Sequence, residues 1–497
     1  MFQLNENVMK RIILHMALLL FPVALMGQSI DDAYRMAGTS LWGTARFIGM
    51  GGAFGALGGE FTTLSYNPGG IGVIQRSLIS FSPGLSRNLT EAEFLNNTTS
   101  DYTYNVGFSS LGTILAFQPG SGGMVKNVNV GLGYNKLNDF DQYTRIEAFN
   151  PTGSLVDYFF FNDYHEGGNI NGTHPDDLDP FWERLAFDAY VIDTIPGTDF
   201  EYSSPVPYGV DMMKKIDSYG RNGELVVSLG ANLMHRLYLG ASVGIQSFSY
   251  RASVTHVEDW VDGEYNDYFS FMRELNTSAT GYNFKMGFIY RPIDLIRIGA
   301  AFHTPTFFNV DDEIYNTMES SFVSGLIVPT DEEGYQLPSD YFNYRLITPF
   351  KAMLSVGLQF GKVGMLSADY EYVDYSAMRF RVGDSEAQFD YHNDLIADTY
   401  RPVSNLRLGG EFKIGLFALR GGFAWYQSPF MEGLENDDAH TTSVSAGLGI
   451  QEKNYFIDLG FIRSNYGERH YLYEGETNGS FLENRNTRLV ATVGFRF

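Results

Sequence analysis

The pattern that recurs most along this chain is an alternation of apolar and polar positions with a period of two. Leu225, Val227, Leu229, Ala231 and Leu233 form one apolar stripe, with Ser228, Gly230 and Asn232 between them. Leu237, Leu239, Ala241, Val243 and Ile245 form a second around Ser242, Gly244 and Gln246, and Ala352, Leu354, Val356, Leu358 and Phe360 a third around Ser355 and Gln359. A period of two puts alternate side chains on opposite faces of a strand. Strands of about ten residues, apolar on one face and small or polar on the other, match a bilayer-crossing barrel whose outer face meets lipid and whose inner face meets a lumen. The C-terminal run from Arg488 to Phe497 alternates in the same way and ends on Phe497, with Phe495 two residues before it. Both are read as the signal that barrel assembly machinery recognises.

The connections alternate too. Short ones fall at Met234-His235-Arg236, Arg291-Pro292-Ile293-Asp294, Phe360-Gly361-Lys362, Ile414-Gly415 and Glu452-Lys453-Asn454; long ones run through about 144–222, 256–270, 309–342, 379–402, 428–440 and 472–486. Strands are expected near 76–85, 103–117, 127–143, 223–234, 237–254, 272–291, 294–308, 343–360, 363–378, 403–413, 417–427, 441–451, 455–470 and 487–497, fourteen in all. The expected fold is therefore all-β, an up-and-down antiparallel transmembrane β-barrel with both chain ends at the short-turn side. Residues 28–75 break the pattern. They are rich in Gly and Ala from Thr44 to Gly59 and carry an Asn67-Pro68-Gly69-Gly70 turn, a compact composition that fits inside a barrel where bulky side chains would not. The expected division is a signal peptide over 1–27, an N-terminal hatch over 28–75 and the barrel over 76–497. Lys10 and Arg11 ahead of the apolar run Ile12–Met26, with Gly27-Gln28 as the cleavage point, support the first of these. Whether translation starts at Met1 or Met9 stays open.

Composition adds constraints. Hydrophobic residues make up 44% and the mean hydropathy is −0.14, too polar for helical spans but suited to alternating strands. The chain has no cysteine, which removes disulfides and thiolate chemistry, and its net charge of −24 argues against nucleic acid as a partner. Acidic runs such as Asp311-Asp312-Glu313 and Asp331-Glu332-Glu333 fall in the expected long loops, which places them on a solvated outer surface. The one Gly-x-Ser-x-Gly match, Gly240 to Gly244, lies inside an alternating strand stripe and so is no strand-to-helix elbow, and the sequence holds no His-Glu-x-x-His pair and no phosphate-cradling loop, so the expectation is a protein that is not an enzyme and needs no cofactor or metal.

Met50-Gly51-Gly52-Ala53 followed by Asn67-Pro68-Gly69-Gly70-Ile71 resembles the hatch signature of the FadL/TodX family of outer-membrane transporters, whose usual form is Asn-Pro-Ala-Gly-Leu. Leu366 to Ser376, Asn405 to Gly410, Leu419 to Gly422 and Gln427-Ser428-Pro429 resemble further blocks of that family, so the likeness runs through nearly the whole mature chain. Gly69 stands where the family usually has Ala, and the 144–222 loop is long. Gln28 after the leader and the Gly-Gly of the hatch look like the Bacteroidetes branch, whose members are often labelled hemin receptors. The resemblance implies an outer-membrane channel of a Gram-negative cell that passes hydrophobic compounds, such as long-chain fatty acids or aromatic hydrocarbons, by passive diffusion past a hatch. It also implies a third strand kinked inward to let cargo leave sideways into the membrane. The corresponding stretch here is Gly131 to Asp139, polar on both faces beyond Tyr134, which fits either that kink or a strand leaving the bilayer.

Strand parity turns Arg407, Glu411, Arg420, Asp369 and Glu371 inward, with Lys351 and Arg297 nearby in the wall. Arg407, Arg420, Lys351 or Arg297 beside apolar Met353 and Phe456 would hold a carboxylate while an apolar tail fills the lumen. The alternative is a network of ion pairs that ties wall to hatch. In the long loop, Phe160, Phe161, Trp182 and Phe187 are candidates for capturing cargo, or they pack the loop over the mouth, with a short helical cap expected over Pro180–Val191. Only His303 is expected to point inward among the histidines considered, with no paired spacing for axial ligation, so hemin binding remains an alternative, as does a structural or secretion-associated barrel that docks a protein.

Overall fold

The computed structural model describes residues 29–120, 123–160, 168–262, 265–322, 326–329, 339–383, 387–473 and 478–497. The expected signal peptide, Gln28, Phe161 and Asp331-Glu332-Glu333 lie outside the described residues. The long strands, in chain order, are β1 (Leu78–Phe94), β2 (Asn97–Phe117), β3 (Val125–Asp139), β4 (Gln142–Asn150), β5 (Val210–Leu233) and β6 (Leu237–Asp262). They continue as β7 (Tyr265–Tyr290), β8 (Ile296–His303), β9 (Phe307–Phe322), β10 (Ser339–Ile347), β11 (Lys351–Phe360) and β12 (Gly364–Asp374). The last five are β13 (Pro402–Ile414), β14 (Phe417–Tyr426), β15 (Thr441–Gln451), β16 (Tyr455–His470) and β17 (Ser480–Arg496). β3 with β4, β8 with β9 and β10 with β11 each make one interrupted stave, which gives a closed antiparallel barrel of fourteen staves. β1 pairs with β17 from Leu78 opposite Arg496 to Glu93 opposite Phe481, so the sheet has no free outer edges at its ends.

The alternation read from sequence is the alternation the barrel uses. Leu229 is 58% exposed and Leu354 63%, whereas Asn232 between two such stripes is fully buried. With no water in the hydrocarbon to satisfy backbone groups, a closed strand ladder wearing such an apolar outer band is a membrane-spanning barrel of the outer-membrane kind. Every expected short turn is present between the corresponding strands, and Gly361 and Gly415 supply positive φ at two of them.

Several expected boundaries are corrected. The first two strands run on to Phe94 and back from Asn97 through a two-residue turn in which Leu95 and Asn96 have φ of 46° and 64°. The connection expected over 256–270 is a continuation of the β6–β7 hairpin, paired from Leu237–Tyr290 out to Asp262–Tyr265. At about 3.3 Å per residue these strands are roughly 85 Å long, about two and a half times what a bilayer crossing needs. The expected strands 294–308 and 343–360 are each broken by a proline, Pro305 and Pro349, on neighbouring staves. Proline offers no amide to a ladder. Threonines supply substitutes there: the Thr306 amide donates to Thr348 Oγ1 at 2.9 Å and the Phe284 amide to Thr304 Oγ1 at 3.0 Å. The expected third strand, 127–143, breaks at Phe140 and Asp141.

The lumen is not empty. Helix α1 (Ile30–Ala37), begun by a capping box between Ser29 and Asp32, is followed by α2 (Ala45–Gly49), α3 (Thr63–Tyr66) and a 3-10 turn over Pro68–Val73. Ala45, Phe47, Ile48, Met50, Phe54 and Leu64 of this inner segment have no solvent exposure. Beyond the lipid band, the 144–222 region folds over the long-loop end around a core that includes Phe159, Leu185, Trp260, Phe269 and Phe271.

Candidate functional site

The inner segment is held to the wall by charge, by amide capping and by close backbone approach. Asp369 Oδ2 accepts the Phe54 and Gly55 amides at 3.0 and 2.9 Å. Asn67 Nδ2 donates to the Gly55 carbonyl at 2.6 Å and to the Phe288 carbonyl of β7 at 3.2 Å, while its Oδ1 accepts the Gly69 amide at 3.0 Å. A side chain at Gly69 would put its Cβ 2.6 Å from Phe288 Cα, so the departure from the resembled Ala has a direct steric cause here. Gly51 has φ +61°, and a Cβ there would stand 2.9 Å from the Phe423 amide nitrogen of β14. Gly52 also has positive φ, +75°, and Pro68 opens the 3-10 turn.

The lumen-facing cations have partners within the protein. Arg407 is 1% exposed, lies opposite Asp369 in the β12–β13 register, and reaches Glu371 Oε2 at 3.3 Å. It also donates to the Tyr66 hydroxyl, covers that ring at 4.5 Å and touches the Met353 sulfur at 3.4 Å. Arg420 reaches Glu411 and Asp458, each at 2.7 Å. Glu411 also takes a bidentate contact from Arg46 of α2, at 2.8 and 3.1 Å. Lys351 Nζ donates at 3.2 Å to both the Ala37 carbonyl and Thr39 Oγ1, and Arg297 Nη1 donates to the Leu57 carbonyl at 2.7 Å. Phe456 sits apart from these, under Arg496 at 4.5 Å near the short-turn end. Arg407, Met353 and Lys351 thus gather around the top of the inner segment, whereas Arg420, Arg297 and Phe456 lie elsewhere. The arrangement is the ion-pair network that ties wall to inner segment.

The loop aromatics are arranged as a core. Trp182 packs edge-on against Tyr158 and Phe271 at 5.2 and 4.9 Å and Phe160 lies against the same cluster, while Phe187 meets Tyr202 at 6.2 Å. The helix expected within Pro180–Val191 is present as Glu183–Asp188. Phe495 and Phe497 face outward at 56% and 66% exposure, and the Phe497 amide donates to the Ser77 carbonyl at 2.9 Å. His303 points inward and its Nε2 donates to the Tyr66 carbonyl at 2.7 Å, while His256 pairs with Glu258 at 2.9 Å.

Beside the inner segment the wall is incomplete. The β2–β3 ladder stops at Ser110 opposite Asn135. Beyond that point β3 and then β4 share a ladder only with β5, and β2 from Asn97 to Phe108 only with β1. Side chains still cross the break, Asn97 Nδ2 donating to the Glu147 carbonyl at 2.7 Å and Asn105 Nδ2 to Asp139 Oδ2 at 3.2 Å. The inner segment takes up the exposed groups. The Ser40 amide donates to the Leu137 carbonyl at 3.1 Å, Ser40 Oγ to Asn138 Oδ1 at 2.9 Å and the Gly43 amide to Ser109 Oγ at 2.8 Å. Trp42 fills the inner side, its ring 4.3 Å from Lys136 Nζ and 4.6 Å from the Arg488 guanidinium. On the outer side Val106 is 81% exposed and Tyr102, Tyr104 and Phe108 continue the apolar face. Above this gap Phe248, Tyr250, Phe308, Tyr344, Phe380 and Tyr400 form a buried apolar cluster, into which α1 packs Ala33, Met36 and Ala37.

Sequence reasoning missed Arg46, Trp42 and the buried pair Lys285–Glu224. A signal for the first was present, since Arg46 is the one cation between Leu41 and Gln75.

No protein-family model matches the chain, and no curated protein matches it by sequence. Solved structures do. A FadL homologue of Pseudomonas aeruginosa aligns over 92% of this chain and 99% of its own at 13% identity, with a TM-score of 0.56. This chain has the FadL/TodX fold. The toluene transporter TodX of P. putida aligns over 92% of this chain and 99% of its own at 12% identity, with a TM-score of 0.53. At such identities the FadL/TodX fold is what the chains share.

Proposed function

We propose that this barrel carries hydrophobic compounds across the outer membrane, entering at the long-loop end and leaving sideways through the gap between β2 and β3. The orientation follows the habit of such barrels, short turns toward the periplasm and long loops outside. The observation that carries the reading is the wall interruption at Ser110–Asn135, closed on the inside by Ser40–Gly43 rather than by a strand. Lipid already bathes the outer side of that gap, so a hydrophobic compound released there passes downhill into the bilayer without crossing water. The FadL homologue and the toluene transporter TodX, which share the fold, support cargo of this class; long-chain fatty acids and alkylbenzenes are the two kinds to test. Displacement of α1 from its apolar cluster would make room for the cargo, and movement of residues 40–43 would open the gap.

A cysteine pair tests this directly, because the chain has none of its own. Ser40→Cys with Asn138→Cys replaces the 2.9 Å contact by a reducible bond. Cells carrying the oxidised pair are expected to lose uptake of a labelled alkylbenzene or long-chain fatty acid and to regain it on reduction. Equal uptake in both states would remove the gap from the route. Saturable binding displaced only by hemin would replace the cargo class.

A further inference from the structure

At the short-turn end a cavity of about 320 Å³ opens between the inner segment and the wall. Its lining includes the apolar side chains of Leu57, Val73 and Met365 together with Arg46, Arg76, Arg297 and Arg496. Arg46 is neutralised by Glu411. The other three are not paired with a carboxylate among the described residues. Arg297 is 9% exposed, spends Nη1 on the Leu57 carbonyl and Nη2 on Gln359 Oε1, and leaves Nε without a partner. Arg496 donates to the Glu452 carbonyl at 3.0 Å and Gln451 Oε1 at 2.9 Å. Arg76 donates to the carbonyls of Lys453 and Arg496 at 2.5 and 3.0 Å. The nearby acid Asp458 is engaged by Arg420 at 2.7 Å and by Gln451 at 3.0 Å.

Three guanidinium groups with only neutral oxygens for partners, gathered at one cavity in a chain of net charge −24, form a local field that favours an anion. The apolar part of the lining selects further. Inorganic anions gain nothing from Leu57, Val73 and Met365, whereas an amphiphile gains burial of its body there and a charge-assisted contact at its head. We infer that this cavity is a binding site for a carboxylate-bearing amphiphile with a medium-length alkyl chain or single aromatic ring, loaded from the periplasm. The planar guanidinium fork suits a carboxylate, and Arg76 and Arg496, half-buried in the lining and bonded to neutral oxygens, are the groups placed to meet it. The site goes beyond the lateral route and lies at the opposite end of the inner segment from the gap.

The test uses the full mature chain in lipid nanodiscs, with labelled octanoate in equilibrium dialysis and empty discs subtracted. Saturable binding is expected, undiminished by octanol or inorganic phosphate. Arg297→Gln and Arg496→Gln should each weaken it about tenfold or more, as loss of one charged hydrogen bond does. Arg76→Gln is a third variant that leaves the wall intact. A photoreactive medium-chain carboxylate should cross-link to Leu57, Val73 or Met365. Binding unchanged in all three variants, equal displacement by phosphate, or cross-links confined to the cluster around α1 would each overturn the assignment. Uptake by the Ser40–Asn138 pair reports on the lateral route alone, so either inference can fail without the other.

Discussion

Gly69 and Arg420 show what single positions do here. A methyl group at Gly69 meets the Phe288 backbone, which as part of a continuous ladder has nowhere to go. Gly69→Ala should therefore destabilise the barrel by about 1–3 kcal/mol, the usual cost of overpacking, read as a lower temperature for loss of the compact band on a heated gel. Arg420 is the cation that Asp458 pairs with, and both side chains are essentially buried. Arg420→Met leaves that carboxylate without its cation, with an expected loss of about 3–5 kcal/mol in urea unfolding. At this scale the sequence was half legible. Parity alone turned Arg407 and Arg420 inward, because a strand's period is two. Their partners were not legible, because Arg46 meets Glu411 across 365 positions of chain and nothing local marks the meeting.

Among elements, α1 is one that packs beside a carboxyl with a raised pKa. Its Asp32 and Arg35 lie near Asp312 of β9, beyond the lipid band, where burial pushes the Asp312 carboxyl up to about 7 and the Thr277 hydroxyl and the Tyr344 hydroxyl, at 2.8 Å, partly oppose the shift. Between the ordinary aspartate value, near 4, and about 7, the folded protein keeps a proton that the unfolded chain has released. Stability contributed by this group is therefore present at low pH and lost as pH rises through that window. Asp312→Asn should flatten the fall of melting temperature between pH 4.5 and pH 8, and should raise it by a few degrees at pH 8; an unchanged profile would assign the dependence to other groups. The β5 and β6 stripes were legible because lipid enforces their alternation. The outer halves of β6 and β7 were not, since beyond the bilayer no solvent boundary dictates where a hairpin ends. The prolines 305 and 349 were visible as breaks in principle, yet an apolar stripe on either side hid them.

Taken as one body, the molecule is a barrel stopped by its own first residues. With Phe47, Ile48, Met50 and Phe54 buried across the lumen, planar bilayers should show little steady conductance from the intact protein. Large stable pores would mean that the inner segment leaves readily. One contact reaches further. The Ala45 amide donates to Thr492 Oγ1 at 2.7 Å, joining α2 to the strand that closes the cylinder against β1. The inner segment is thus bonded to one of the two strands whose pairing closes the barrel, so the seam between β1 and β17 and the filling of the lumen support each other. A chain with a badly seated filling should therefore have a looser, more protease-sensitive seam between β1 and β17.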